Sequence, residues 1–392
     1  MARPPSGVRE TIRLAHVCSS DLGILPLLPF CTPLLARGWE ITMITPPGPN
    51  VERATALGMT WLPLALRRRM HLASDVHGSL QLASYFRRGR YDIVHTHNIK
   101  TGHIGRVVAS AMRVPIVVHT IHGMAYSQET PPVMRAVHGA LERIASLGCD
   151  YVFSQSREDR DTYLASHVIA PDKLEVIGNG IDLAKYSPRP TDPATRAAVR
   201  SALGLAAGDI LFLSAGRLIV EKGFVELFEA AIAAARIDPR IRLAVAGPSD
   251  ERVDALEPAS LDAARAQGIL LLGQRSDMRD LYCASDVVVL ASWHEGMPRV
   301  LMEGAAMGKP LLATDVRGCR EVVEPPKHGL RVPMRDAKAL AGAMVRLAAD
   351  AAWRSQLGRE NASEARERYA IERAVERVDA AYDRLLAARD AR

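Results

Sequence analysis

Ile210-Leu-Phe-Leu-Ser-Ala-Gly-Arg-Leu-Ile-Val-Glu-Lys-Gly-Phe224 runs from an apolar strand into a glycine-flanked turn that opens on a helical pattern. A strand that hands over at once to a helix is half of a βαβ unit, and repeats of it build a parallel sheet. Downstream, Arg242–Ala246, Ile269–Leu272, Asp286–Leu290 and Pro310–Thr314 repeat the strand signal. Upstream, Thr11–Cys18, Glu40–Thr45, Asp92–Thr96, Ile116–His119, Tyr151–Ser154 and Glu175–Ile177 form an earlier series, most of them followed by a helix-compatible stretch. After Gly178-Asn-Gly180, a polar, proline-containing stretch from Lys185 to Pro193 reads as a linker between the two series. The expectation is an α/β chain of two tandem, Rossmann-like, doubly wound domains, 1–186 and 187–371. A final helix, about 372–392, is expected to fold back onto the first domain. The carboxyl ends of the two sheets, where open α/β folds bind ligands, should face one another across a cleft.

With 392 residues, 48% of them hydrophobic and 24% charged, the chain has ample material for such cores, so a disordered protein is excluded. Only 5% are aromatic, which leaves the cores to aliphatic side chains. Fifty basic against 44 acidic residues give a net charge of +6, suited to anionic small molecules or a membrane surface. No basic run is interleaved with aromatics, so a nucleic-acid partner is not expected. The first 186 residues hold 20 basic and 15 acidic side chains, and so nearly all of the surplus. Five scattered cysteines without a CxxC pair suit a reducing compartment. Leu22 to Leu35 is too short and too rich in proline to span a bilayer, and the start of the chain lacks a signal-peptide layout. The expected location is cytoplasmic, with peripheral contact at the inner membrane face.

In the opening stretch, Arg217 offers a fork for phosphate oxygens and Lys222 a compact charge. Gly216 and Gly223 permit tight turns beside them. A second segment, Ser292-Trp-His-Glu-Gly-Met-Pro-Arg-Val-Leu-Met-Glu303, follows a strand and opens a helix with Pro298 in its first turn. The backbone amides of Gly296 and Met297 are thereby offered to a diphosphate at a helix N-terminus. Glu295 and Glu303 should lie roughly 8–12 Å apart along the axis, too far to share a proton but suited to two hydroxyl-binding roles on an extended ligand.

Gly-Arg-Leu-x-x-Glu-Lys-Gly followed by Glu-Gly-x-Pro-Arg-Val-Leu-Met-Glu resembles the motifs of the GT-B-fold retaining glycosyltransferases of family 4. His95-Thr-His-Asn-Ile-Lys-Thr-Gly-His-Ile-Gly-Arg106, His119-Thr-Ile-His-Gly123 and Gly178-Asn-Gly-Ile-Asp182 are similar to the family's looser first-domain patterns. The resemblance implies a nucleotide-sugar donor, most simply a UDP-sugar. Arg217 and Lys222 would hold its diphosphate, with Gly296 and Met297. Glu303 would bind the ribose hydroxyls and Glu295 the donor sugar. His122 would face the sugar near its anomeric carbon, beside Gly123. Gly23 would admit donor phosphate or acceptor to the first turn, and Arg275 falls in the base-binding loop. No cofactor or metal is implied, because fixed cations and amides would stabilise the leaving phosphate.

Several features invite other readings. Asp159-Arg-Asp161 imitates a metal-binding DxD but sits in a polar helical stretch and reads as solvated helix. His95 and His97 alternate at strand spacing without a carboxylate or Cys partner, which favours strand-end residues over a metal site. Arg67-Arg-Arg69 and Arg87-Arg88 with Arg90 read as a solvated face or as contacts to anionic lipid, with Leu64, Leu66, Met70 and Leu72 as an apolar edge. The acceptor expected first is a lipid-linked saccharide of envelope polysaccharide assembly. A small soluble acceptor of secondary metabolism, a sugar-nucleotide epimerase on the same scaffold and a non-catalytic sensor stand as alternatives.

Overall fold

The computed structural model describes residues 11–66, 71–124, 130–249 and 255–391. The run Arg67-Arg-Arg69 with Met70 lies outside these residues. The chain forms two compact units, one reaching Gly178 and resuming at Glu372, the other Asn179–Ile371. The boundary thus falls eight residues before the expected 186, because the residues after Gly178 are already tied into the second unit. Asn179 donates to the Met297 carbonyl, Arg299 donates to the Gly180 carbonyl, and Ile181 bridges to Ala370.

The first unit alternates β1 (Arg13–Val17), α1 (Ile24–Ala36), β2 (Glu40–Thr45), α2 (Val51–Ala56), β3 (Thr60–Pro63), α3 (Leu72–Gly89), β4 (Ile93–His97), α4 (Ile99–Ala111), β5 (Ile116–Ile121), α5 (Pro132–Ser146), β6 (Tyr151–Ser154), α6 (Arg157–Ala165) and β7 (Leu174–Val176). Its sheet has the order β3-β2-β1-β4-β5-β6-β7, and every pair is parallel. The strand order reverses direction between β1 and β4, the switch point where such sheets open toward ligands. Helix α1 runs through Pro29 and Pro33, and the Thr32 hydroxyl donates to the Leu28 carbonyl within it.

The second unit continues with α7 (Asp192–Ala202), β8 (Ile210–Ala215), α8 (Phe224–Ile237), β9 (Ile241–Ala246), α9 (Pro258–Ala266), β10 (Leu270–Gly273), α10 (Met278–Ala284), β11 (Val287–Leu290), α11 (Arg299–Ala306), β12 (Leu311–Thr314), α12 (Arg317–Val322), β13 (Gly329–Val332), α13 (Ala337–Ala349) and α14 (Ala351–Arg368). The order β10-β9-β8-β11-β12-β13 is again parallel, with its switch point between β8 and β11. Strands β8 and β11 are buried along their whole length, as expected of central parallel strands covered on both faces.

The last helix, α15 (Ile371–Asp390), belongs to the first unit from Glu372 on. Val378, Ala381, Tyr382 and Leu386 enter the same core as Trp39, Ile41 and Phe153. Arg37 pairs with both Asp379 and Asp383 at 2.6 Å. Leu64 and Leu66 are buried beneath α3 and form no exposed edge, whereas Leu72 is 83% exposed.

Candidate active site

The second unit's switch point gathers the residues singled out by motif. The turn after β8 carries Arg217, half-buried, and a single 3-10 turn that ends at Lys222. Gly223 follows with φ +66°, and a Cβ on it would sit 2.0 Å from the Ala291 carbonyl oxygen. Glycine there lets the Lys222 turn lie against the end of β11, where the Trp293 amide donates to the Glu221 carbonyl at 2.9 Å. Across this seam Lys222 Nζ reaches Glu295 Oε1 at 2.5 Å, and the Ser292 hydroxyl donates to the same oxygen at 2.6 Å. On its other side the Glu295–Gly296 backbone is clamped by Gly318, whose amide donates to the Glu295 carbonyl and whose Cβ would lie 2.2 Å from the Gly296 oxygen. Lys222 and Glu295, 73 positions apart in sequence, are thereby brought into direct contact.

Pro298 is the N-cap of α11, one position earlier than its expected place in the first turn. No hydrogen bond among the described residues uses the amides of Gly296 or Met297. Glu303 lies on α11, and it is 8% exposed rather than solvated. The Tyr282 hydroxyl donates to Glu303 Oε2 at 3.0 Å and Arg299 stands 3.5 Å from Oε1. Burial pushes the Glu303 carboxyl up, against the opposing pull of Arg299 and Tyr282. A buried carboxylate held in place by a phenol can accept hydrogen bonds from hydroxyl groups. Arg275 is exposed and makes a two-pronged pair with Asp277 at 2.6 and 2.8 Å.

In the first unit, His122 follows β5 directly and Gly123 comes next. His122 is half-buried and hydrogen-bonds His97 Nδ1 through its Nε2 at 3.1 Å. Burial lowers its pKa to about 4, with the Gln155 side chain pulling the other way, so the ring is neutral at physiological pH. Gly23 closes a 3-10 turn leading into α1 and packs against Cys18.

His95 and His97, read as strand-end residues, are joined by a third histidine. Register places His16 of β1 beside His95 of β4, and ligand atoms of His16, His95 and His97 lie within 4.8 Å of one another. Nothing near His16 in sequence signals this; only the pairing of β1 with β4 brings it in. Both nitrogens of His95 are engaged, by Tyr382 and Thr120, and both of His97, by His16 and His122. His16 Nε2 is left without a hydrogen-bond partner among the described residues, and the three rings form a hydrogen-bonded cluster.

Asp159 also departs from expectation. It is 1% exposed, with its amide bonded to the Ser156 hydroxyl at the start of α6, because its position in the first turn points it inward. Asp161 remains on the surface, paired with Arg160, so the two carboxylates do not converge.

Residues 209–350 match the family model described as glycosyl transferases group 1, and residues 30–185 match that of glycosyltransferase family 4. An Escherichia coli relative, the UDP-Gal:alpha-D-GlcNAc-diphosphoundecaprenol alpha-1,3-galactosyltransferase, is 30% identical over 73% of this chain and 73% of its own. A Saccharomonospora viridis D-inositol 3-phosphate glycosyltransferase is 30% identical over 81% of this chain and 75% of its own. Among solved structures, an Anabaena protein in complex with UDP-glucose superposes with a TM-score of 0.77 at 18% identity, covering 95% of this chain and 99% of that one.

Proposed function

The chain belongs to the group 1, family 4 glycosyltransferases, with the GT-B fold, and from that premise we propose that it is a retaining, metal-independent enzyme moving a sugar from a UDP-sugar to a polyprenyl-diphosphate-linked saccharide of envelope polysaccharide assembly. The donor half rests on one observation, the convergence of Lys222 and Glu295 at the β8/β11 switch point, with Arg217 on the same turn as Lys222. As the glycosidic bond breaks, negative charge grows on the β-phosphate. Arg217, Lys222 and the Gly296 and Met297 amides supply preorganised positive charge there. Glu295, anchored by Lys222 and Ser292, would orient sugar hydroxyls. Glu303 would take the ribose. His122 would face the anomeric centre, and the leaving phosphate would accept the acceptor's proton, which retains configuration.

The lipid-linked acceptor is favoured by the surface of the first unit. Twelve of the sixteen exposed large apolar side chains among the described residues lie on or at the ends of α3, α4 and α5, three helices that pack side by side. Val133, Val137, Leu141, Ile144 and Leu147 make a continuous stripe along α5. From 71 to 147, the described residues hold eight basic side chains against three acidic ones. Asp75 and Glu142 among the latter are neutralised by Lys100 and Arg106. A second copy of this face would oppose basic residues to basic residues; an anionic bilayer satisfies both the charge and the apolar stripe. The E. coli relative, by its name, acts on a diphosphoundecaprenol-linked sugar. A phosphorylated cyclitol acceptor is the second reading, favoured by the S. viridis relative.

Turnover of UDP-sugars with a polyprenyl-diphosphate saccharide and with inositol phosphate decides between the two acceptors. Sedimentation with phosphatidylglycerol vesicles at low salt should carry the protein down, and the paired change Leu141→Glu, Ile144→Glu should leave it in the supernatant with unchanged thermal stability. A wild-type protein that stays in the supernatant and prefers the soluble acceptor sinks the membrane reading.

A further inference from the structure

His16, His97 and His122 form one hydrogen-bonded row. His16 Nδ1 meets His97 Nε2 at 2.9 Å, and His97 Nδ1 meets His122 Nε2 at 3.1 Å. His16 and His97 are 1% and 2% exposed. Burial, the leading cause in each case, lowers the pKa of His16 to about 3 and that of His97 well below the usual imidazole range. Each ring is therefore neutral and carries a single N–H, so one ring's choice of nitrogen dictates the next.

The row has two self-consistent polarities. If hydrogens run inward, from His122 Nε2 to His97 and from His97 Nε2 to His16 Nδ1, then His16 Nε2 must carry the last one. That nitrogen has no hydrogen-bond partner among the described residues, and a buried N–H without an acceptor is the rarer and more costly defect. If hydrogens run outward, from His16 Nδ1 to His97 Nε2 and from His97 Nδ1 to His122 Nε2, the idle group is only a lone pair. His122 then carries its hydrogen on Nδ1. His95 stacks on His97 with ring centres 4.3 Å apart and is itself pinned by Tyr382 and Thr120, which fixes the middle ring.

We propose that His16 and His97 are positioning residues that hold His122 in its Nδ1–H tautomer, so that it meets the donor sugar as a neutral ring without a free lone pair and not as a base. The step involves no proton transfer. It rests on the placement of His122 at the sugar, and the test separates the two. In the full-length protein labelled with 15N-histidine and free of ligand, two-bond proton–nitrogen correlations report which nitrogen of His122 is protonated. His122→Gln identifies its signals. The expected result is Nδ1–H in the wild type, the reverse of the preference of an unconstrained histidine, and loss of that form in His97→Phe. In steady-state kinetics, His16→Phe should lower kcat about tenfold, in line with the effect of removing an outer partner from a functional histidine, with the KM for UDP-sugar within twofold. His16→Asn, whose amide offers an N–H near the position of Nδ1, should restore most of it. An Nε2–H His122 in the wild type overturns the proposal. Unchanged turnover in His122→Gln alongside the expected tautomer would refute the catalytic placement of His122 while upholding the relay.

Discussion

Replacing Glu303 with glutamine should separate the ribose-binding role of this side chain from its part in the fold. Glutamine keeps an oxygen for the Tyr282 hydroxyl, which is fully buried and donates at 3.0 Å, but removes the charge. A hydrogen bond to a charged acceptor contributes about 1.5–3 kcal/mol and a neutral one about 1. Losing the difference at the ribose should weaken UDP about tenfold, equivalent to about 1.4 kcal/mol. Stability should move the other way. Burial raises the Glu303 pKa above that of the unfolded chain, so the folded state binds this proton more tightly, and stability falls as pH rises through and beyond the ordinary glutamate range. Glutamine removes that penalty, so the unfolding temperature at neutral pH should equal or exceed that of the wild type. Alanine, by contrast, leaves Tyr282 without an acceptor, a loss of about 1–3 kcal/mol and roughly 2–4 °C for each of them in a unit of this size. Wild-type affinity for UDP should decline on acidification at a pH above the ordinary glutamate range, and that of the glutamine variant should not. Calorimetric titration with UDP and thermal unfolding read both effects. A dissociation constant within twofold of wild type in Glu303→Gln refutes the ribose assignment.

Lys222→Met removes a phosphate contact and strips Glu295 of its partner at 2.5 Å. It should lower kcat/KM about a hundredfold, or roughly 2.7 kcal/mol, and a loss below threefold in steady-state assays would contradict the assigned role. Elsewhere in the second unit, burial tends to raise the Glu364 pKa, yet hydrogen bonds from Lys327, Arg368 and His328 hold it down to about 2. Its stabilisation is present at neutral pH and fades as pH falls from the usual glutamate range toward that value, so denaturant titrations of Glu364→Gln should show a shallower acid decline than wild type.

Long buried strands were legible because both faces are covered and their apolar runs are continuous. The two missed strands are sheet edges. Thr60–Pro63 has no fully buried residue, and Gly329–Val332 carries Arg331 among its four positions, so neither presents an apolar run. Arg217, Lys222, Glu295 and Glu303 could be picked out from local motif, since the first three sit where a strand gives way to a turn and Glu303 lies on the helix that follows. Their mutual arrangement could not. The Lys222–Glu295 contact depends on the two glycine seams at Gly223 and Gly318, and a seam between loops leaves no periodicity. His16 is the extreme case, an isolated histidine in an apolar strand whose meaning comes from a neighbour 81 positions away. Asp159 misled for a similar reason. Composition marks its stretch as polar, but at the start of a helix the direction of one side chain is set by the cap and not by the average.

The return of α15 bears on how the protein is made. Its residues fill the core around Trp39, and its Tyr382 hydroxyl binds His95 at 2.5 Å, yet they leave the ribosome some two hundred residues after the rest of that unit. The second unit, contiguous in sequence, can finish folding first, reversing the usual order in which an emerging chain matures. At typical synthesis rates the first unit waits roughly 10–40 s with the apolar seat of α15 uncovered. A translation product cut short anywhere before α15 would expose that seat permanently, marking it for chaperones and proteases, so that only chains read through to this helix bring the histidine cluster to its finished form.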